Sequence, residues 1–274
     1  DLTTHKSEKK TLANKALEKG KVLIPSHKVI PESVVVKNAT GKQVISDARI
    51  VYTAEGLEIY ATVAGNNVDI EYEEVDLSKV TKTEAIGGFD STTMKRTGLE
   101  LANEIFLKYS ELPAFIDAPD FSHESDVAAI METKAKTLNG GMFEAIALIN
   151  APVDKKYNDL VEWKETNNIL SNDQVLLYGK IKLAGEIYHQ SIHYAALSMK
   201  VDSENNGVPS QGPSNYSYKM DAFVWKNASG KYEEVRLDKE QQANFLNKNG
   251  VVTAINFKGW RCWGSETAKN PLAT

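Results

Sequence analysis

From Lys21 to about Asp76 the chain runs in short segments rich in Val, Ile, Tyr and Thr: KVLIP, SVVVKN, KQVIS, ARIVYT, LEIYATV and NVDIEYEEV. Turn material such as NATGK, AEG and AGNN separates them. Alternation with a period of two fits antiparallel strands with one buried face. It predicts a small all-β antiparallel module, of sandwich or barrel type, over residues 21–83. The preceding stretch HKSEKKTLANKALEK, residues 5–19, reads as a helix stopped by Gly20, which can take the left-handed cap conformation. Residues 1–20 are accordingly assigned as a helix belonging to the body that follows the β module.

After Asp76 the period changes. A helix is predicted over 92–109, then strand AFIDAP (114–119), helix 124–138, strand MFEAIALINAP (142–152), helix 157–167 and strand QVLLYG (174–179). Near-continuous apolar strands alternating with helices predict an α/β body over 84–274, built on a parallel or mixed sheet flanked by helices. IKLAGEIYH reads as a hairpin leading into a helix that runs to about residue 202, and DSENNGVPSQGPSN (202–215) as a long loop. The hairpin DAFVWKNASGKYEEVRL follows, then a helix capped by Asp238 with Gln241 closing a capping box. Gly250 ends that helix, and strand VVTAINF leads to GWRCWG.

Bulk properties narrow the function classes. The 274 residues carry a formal net charge of −5, which does not suit general binding to nucleic acid or to an anionic membrane. No run approaches the ~20 apolar residues that direct membrane insertion needs. The single cysteine, Cys262, rules out an internal disulfide framework. The start, DLTTHKSEKK, has neither an initiator Met nor a signal-peptide pattern, so a piece of a longer chain is expected.

Candidate chemistry is sparse. In IGGFDSTTMKRTGLELANEIF (86–106) a phosphate loop would need GxxxxGK[ST]. The glycine before the lysine is missing, and Asp90 would repel a phosphate. Gly87 and Gly88 instead predict a tight turn, with Ser91, Thr92 or Thr93 capping a helix whose apolar face carries Leu99, Ala102, Ile105, Phe106 and Tyr109. Strand ends in a parallel sheet are where ligands bind, and here they carry Asp117, Asp120 and His123 in DAPDFSH and Asn150 and Asp154 in NAPVD. Such a set could hold Mg²⁺ or act in general acid–base chemistry. Alternatively, Ser122 or Asp120 caps the next helix and the Ala-Pro pairs end their strands. HQSIH places His189 and His193 four apart but lacks the glutamate of HExxH. Cys262, between Trp260 and Trp263, reads as a packed thiol. Core packing accounts for Tyr52, Tyr60 and Tyr72, and EYEEVD (71–76) reads as a solvated strand edge.

Several segments, taken in order, resemble a known family. They are GGFDSTTMKRTGLELANEIFLKYSELPAFIDAPDFSH, NAPVDKKYNDLVEWK, GVPSQGPSN and NFLNKNGVVTAINFKGWRCWGSETA. The chain resembles the tail sheath protein of contractile bacteriophages, particularly those of phages and prophages of Gram-positive bacteria, from about Thr11 to Ala268. The most specific piece is Asn249 to Thr267. The resemblance implies a structural, non-enzymatic subunit without catalytic residues, cofactor or metal. Such subunits stack as hexameric rings around a tail tube and contract to drive it through the host envelope. Implied partners are further copies of the chain, the tail tube and the baseplate; the implied location is the virion, after assembly in the bacterial cytoplasm. The β module would protrude from the body. Sheath proteins extend on both sides of the matching region, so a central fragment lacking both terminal extensions is implied. The alternative is a metal-dependent α/β hydrolase or phosphotransferase using Asp117, Asp120 and Asp154.

Overall fold

The computed structural model describes residues 5–270. The chain divides into two compact units, with the boundary between Thr81 and Lys82.

In the first unit, β1 (Lys10–Ala16), β2 (Lys21–Ile24), β3 (Val35–Asn38), β4 (Arg49–Thr53), β5 (Gly56–Tyr60) and β6 (Asn67–Tyr72) follow in chain order. They form two three-stranded antiparallel sheets, β1-β6-β3 and β2-β5-β4. Alternation along the central strands selects the core: Leu57 and Ile59 of β5 meet Val68 and Ile70 of β6, all fully buried. The intervening acids lie on the opposite faces and are met by lysines. Lys21 pairs with Glu58, Lys42 with Asp69, and both Lys9 and Lys37 with Glu71.

Three expectations change here. The helix expected over 5–19 is instead strand β1, with Lys10 opposite Tyr72, Ala16 opposite Asn67 and a bulge between Leu12 and Lys15. Residues 10–16 therefore belong to the first unit and not to the body. Helix propensity there is only a weak prior, and tertiary pairing overrides it: β6 supplies the hydrogen-bonding edge, while Lys6, Lys9 and Lys10 reach Glu73, Glu71 and Glu74. KQVIS is not a strand; Val44 makes only an isolated bridge with Lys37. EYEEVD is not a free sheet edge: Glu71 and Tyr72 lie in β6, the middle strand of its sheet, and Glu74 and Val75 make isolated bridges with Val29 and Lys6. Its charge is accommodated by lysines from both sides, which a single sequence run cannot show.

The second unit contains α1 (Lys82–Ile86), β7 (Gly88–Asp90), β8 (Lys95–Thr97), α2 (Ala102–Tyr109), β9 (Phe115–Asp117), α3 (Ser125–Lys136), β10 (Ile146–Asn150) and α4 (Leu160–Thr166). It continues with β11 (Gln174–Leu177), β12 (Lys180–Leu183), β13 (Glu186–His189), α5 (Gln190–Glu204), β14 (Ala222–Lys226) and β15 (Tyr232–Glu234). It closes with α6 (Asn244–Lys248), β16 (Val251–Asn256) and β17 (Trp260–Trp263). A five-stranded sheet has the order β17-β16-β11-β10-β9. Its β9, β10, β11 and β16 are parallel, while β17 is antiparallel to β16. This is the mixed α/β architecture expected. Ala147, Leu148 and Ile149 of β10 and Leu176 and Leu177 of β11 are fully buried, which is why these strands read as unbroken apolar runs.

After β11 the chain turns at Tyr178–Gly179 into a second, antiparallel sheet with the order β13-β12-β14-β15. Gly179 has φ +88°, and a Cβ there would lie 2.3 Å from the Phe223 ring. Phe223 is fully buried, with ring centroids 6.3 Å from Tyr178 and 6.2 Å from Trp260. The turn residue thus makes room for the side chain that joins the two sheets.

The helix expected over 92–109 starts later. Residues 88–97 form the β7–β8 hairpin, and α2 begins at Ala102. The hydroxyl run does not cap a helix. The Asp90 carboxylate accepts the Thr92 N–H at 2.8 Å, the Thr93 N–H at 3.3 Å and the Thr93 hydroxyl at 2.7 Å. This Asx-type turn competes locally with helix, and Arg96 stacks over Phe89 across the hairpin at 4.8 Å. At Asp238 the box also differs. Its carboxylate accepts the Gln241 N–H at 2.8 Å, but Gln242, not Gln241, accepts the Asp238 N–H, also at 2.8 Å. A π-helical turn over Lys239–Ala243 leads into α6, and its wider winding shifts the returning side chain by one residue. Among the described residues no helix is long and apolar enough to cross a membrane.

Candidate functional site

The carboxyl ends of β9 and β10 gather the polar residues that the sequence singled out. Asp117 ends β9 and Asn150 ends β10, neighbouring parallel strands in which Asp117 lies opposite Leu148. The first turn of α5 faces them. Asn150, 3 % exposed, donates its side-chain N–H to Ser191 Oγ at 2.9 Å, and its Oδ1 accepts the Ser191 N–H at 3.2 Å. Ser122, fully buried, accepts the Asn150 backbone N–H at 3.0 Å. Three chain segments are thereby tied together by one asparagine. Asp117 bonds to Ser191 and to the Ala118 N–H, yet its Oδ1 is buried with no partner. Burial outweighs those bonds and raises its pKa to about 6.

Beside this knot, His189 lies between an exposed carboxylate and a part-buried lysine. His189 Nε2 is 2.7 Å from Asp120 Oδ1 and 3.0 Å from Lys180 Nζ, while its Nδ1 is buried without a partner. Burial holds His189 below the ordinary histidine range, with Lys180 adding to the effect and Asp120 opposing it. Burial likewise lowers Lys180.

The other predicted residues scatter. His123 is 3.5 Å from Glu124. Asp154 is exposed. His193 does not share a partner with His189; its ring packs edge-on to Tyr188 at 5.7 Å. Among the described residues, no group of three or more His, Cys, Asp or Glu could hold a metal ion, so Asp117, Asp120 and Asp154 do not form the set that the alternative needs. Neither Ser122 nor Asp120 caps α3; the N-cap position is Glu124, which makes no side-chain cap bond. Cys262 is fully buried and its thiol is pushed up to about 12 by burial.

Much of the apolar surface of α2 is exposed. Leu107 and Tyr109 are 77 % and 70 % exposed. Phe106 tilts against Phe143 at 4.9 Å, next to Met142, which is 73 % exposed. The helical period of LELANEIFLKY showed an apolar face carrying Phe106 and Tyr109; Tyr109 lies on that face and is nonetheless exposed, while Leu107 lies off it.

The fold and these sites describe a mixed α/β unit with a polar knot at its strand ends, accompanied by an antiparallel β unit. No protein-family model matches the chain, and no curated protein matches it. Solved structures that resemble it include a chain of the anti-feeding prophage baseplate in its six-fold symmetrised cryo-EM structure. The identity is 20 %, over 62 % of this chain and 42 % of that one, with a TM-score of 0.41. A second is a chain of the PVC sheath complex, an extracellular contractile injection system, in its contracted state. There the identity is 16 %, over 64 % of this chain and 45 % of that one, with a TM-score of 0.43. The chain thus spans less than half the length of either.

Proposed function

We propose that the chain is the central part of a contractile tail sheath subunit of the Gram-positive phage or prophage type, a structural and non-enzymatic protein. The observation that carries this reading is the ordered set of sheath-like segments, ending in Asn249–Thr267. That last segment runs from the end of α6 through β16, a central strand, to the edge strand β17. A subunit that moves as a body during contraction needs a densely packed interior, and the fully buried residues of β10, β11 and β16 supply one. The apolar surface of α2 supports assembly, since exposed patches of this kind mark protein contacts; further copies of the same chain are the partners in this reading. In this proposal the full-length protein forms hexameric rings stacked around the tail tube, joined to a baseplate, in a virion assembled in the host cytoplasm. The first unit is the protruding module, and terminal extensions outside this chain link the subunits.

Negative-stain electron microscopy of a longer parent chain beside the 274-residue chain tests the reading. Tubes of uniform width from the parent, with single particles from this chain, are expected. Discrete small particles from the parent under every salt condition would overturn it.

A further inference from the structure

Lys164 is a basic residue with 2 % exposure in the last turn of α4. Its ammonium donates to two backbone carbonyls, Asn249 O at 2.6 Å and Asn270 O at 2.9 Å. The first carbonyl follows α6; the second belongs to the segment that follows β17. A buried cation is costly unless it is hydrogen-bonded, and bonds to a charged donor are the strong ones. Both bonds go to main chain, so they fix backbone position whatever the side chains there.

The segment over residues 264–270 is stitched down by further contacts. The Ala268 N–H donates to Gln174 O at the start of β11 at 2.8 Å, and the Ala268 side chain is fully buried. Asn270 Nδ2 donates to Asn247 O at 3.1 Å and to Lys248 O at 3.3 Å. Gly250, at φ +69°, lets the segment lie flat: a Cβ there would be 2.6 Å from Thr267 O and 2.8 Å from Asn270 O. The segment has no ladder of its own; these bonds, the buried Ala268 side chain and the Gly264 N–H bond to Ser214 Oγ at 3.0 Å hold it to the unit.

We infer that Lys164 is a buried cationic clasp that locks the strap after β17 onto α4 and α6. Tension on the strap's C-terminal end is then borne by those helices rather than by the edge strand. The clasp does not depend on the sheath reading; only its use as a force-bearing anchor does. Burial lowers the Lys164 pKa to about 8, which leaves it predominantly charged at neutral pH.

Amide hydrogen exchange on the whole chain tests this, comparing wild type with Lys164→Met and Lys164→Arg. The expected result for Lys164→Met is at least tenfold faster exchange at Ala268, with Ala147 and Leu176 unchanged within threefold; Lys164→Arg should recover part of the protection. Unchanged exchange at Ala268, or equal acceleration at all three amides, would overturn the clasp. Should Lys164→Met fail to fold, ¹⁵N NMR of the wild-type lysine ammonium groups decides. One slowly exchanging Nζ resonance at pH 7, lost in Lys164→Arg, is expected; its absence refutes the proposal. Because these readouts need no polymer, a failed clasp is distinguishable from a failed sheath reading.

Discussion

Asp117 offers a quantitative test of the polar knot at the strand ends. Its carboxyl is raised to about 6 by burial, with Oδ1 left unpartnered. Against an ordinary carboxylate pKa of ~3.9, each unit of difference is worth ~1.4 kcal/mol, so ionised Asp117 costs the fold on the order of 3 kcal/mol. The sign follows from linkage. Between the unfolded and folded pKa values the native state binds more protons, so stability falls as pH rises through that window and is flat above it. Asp117→Asn replaces the carboxylate with a neutral group of the same shape that can still accept from Ser191. The variant should therefore be more stable than wild type at pH 7.5 by about 1–3 kcal/mol, and nearly equal to it at pH 4. The four tryptophans, Trp163, Trp225, Trp260 and Trp263, all lie in the second unit. Urea unfolding followed by tryptophan fluorescence thus reports on the unit that contains the mutation. A destabilised variant at pH 7.5, equal to wild type at pH 4, would refute the reasoning. It would mean that Ser191 and the positive end of α5 stabilise the charge more than burial penalises it.

Two further outcomes are expected. Gly179→Ala forces a left-handed backbone and drives a methyl into the Phe223 ring; a loss of about 3 kcal/mol in the same urea assay is expected, and a loss below about 1 kcal/mol would show that Phe223 moves aside freely. In the first unit, hydrogen bonds from Lys21, Lys42 and Lys37 hold Glu58, Asp69 and Glu71 below the ordinary carboxylate range. Their contribution is complete above that range and is lost as pH falls through the lowered folded values, so exchange at the Ile59 and Ile70 amides, corrected for its intrinsic pH dependence, should accelerate at acid pH and in 1 M salt. Protection insensitive to both would remove the lysine–carboxylate rows as a source of stability.

Period and turn chemistry alone placed β2 to β6 and the alternation of β9, α3, β10, α4 and β11. A buried strand must carry apolar residues on one or both faces, and glycine is favoured at left-handed turns. The cap at Asp238 was legible for the same local reason; which glutamine closes it was not, because that depends on the winding of the turn. Residues 5–19 and 92–101 misled because their local preferences are weak. Within the first, residues 10–16 became strand β1 through pairing with β6; within the second, 92–97 joined a hairpin through the Asp90 turn and Gly98–Leu101 became a 3-10 turn ahead of α2. At the strand ends, the sequence identified Asp117, Asp120 and Asn150 from their positions after apolar strands. Only the tertiary structure brought Ser122, Lys180, His189 and Ser191 to them and left Asp154 outside, because burial and long-range hydrogen bonds depend on how distant segments pack. Lys164 shows the same limit: in VEWKE it reads as an ordinary helix lysine, and the fold alone buries it beneath two carbonyls from the far end of the chain.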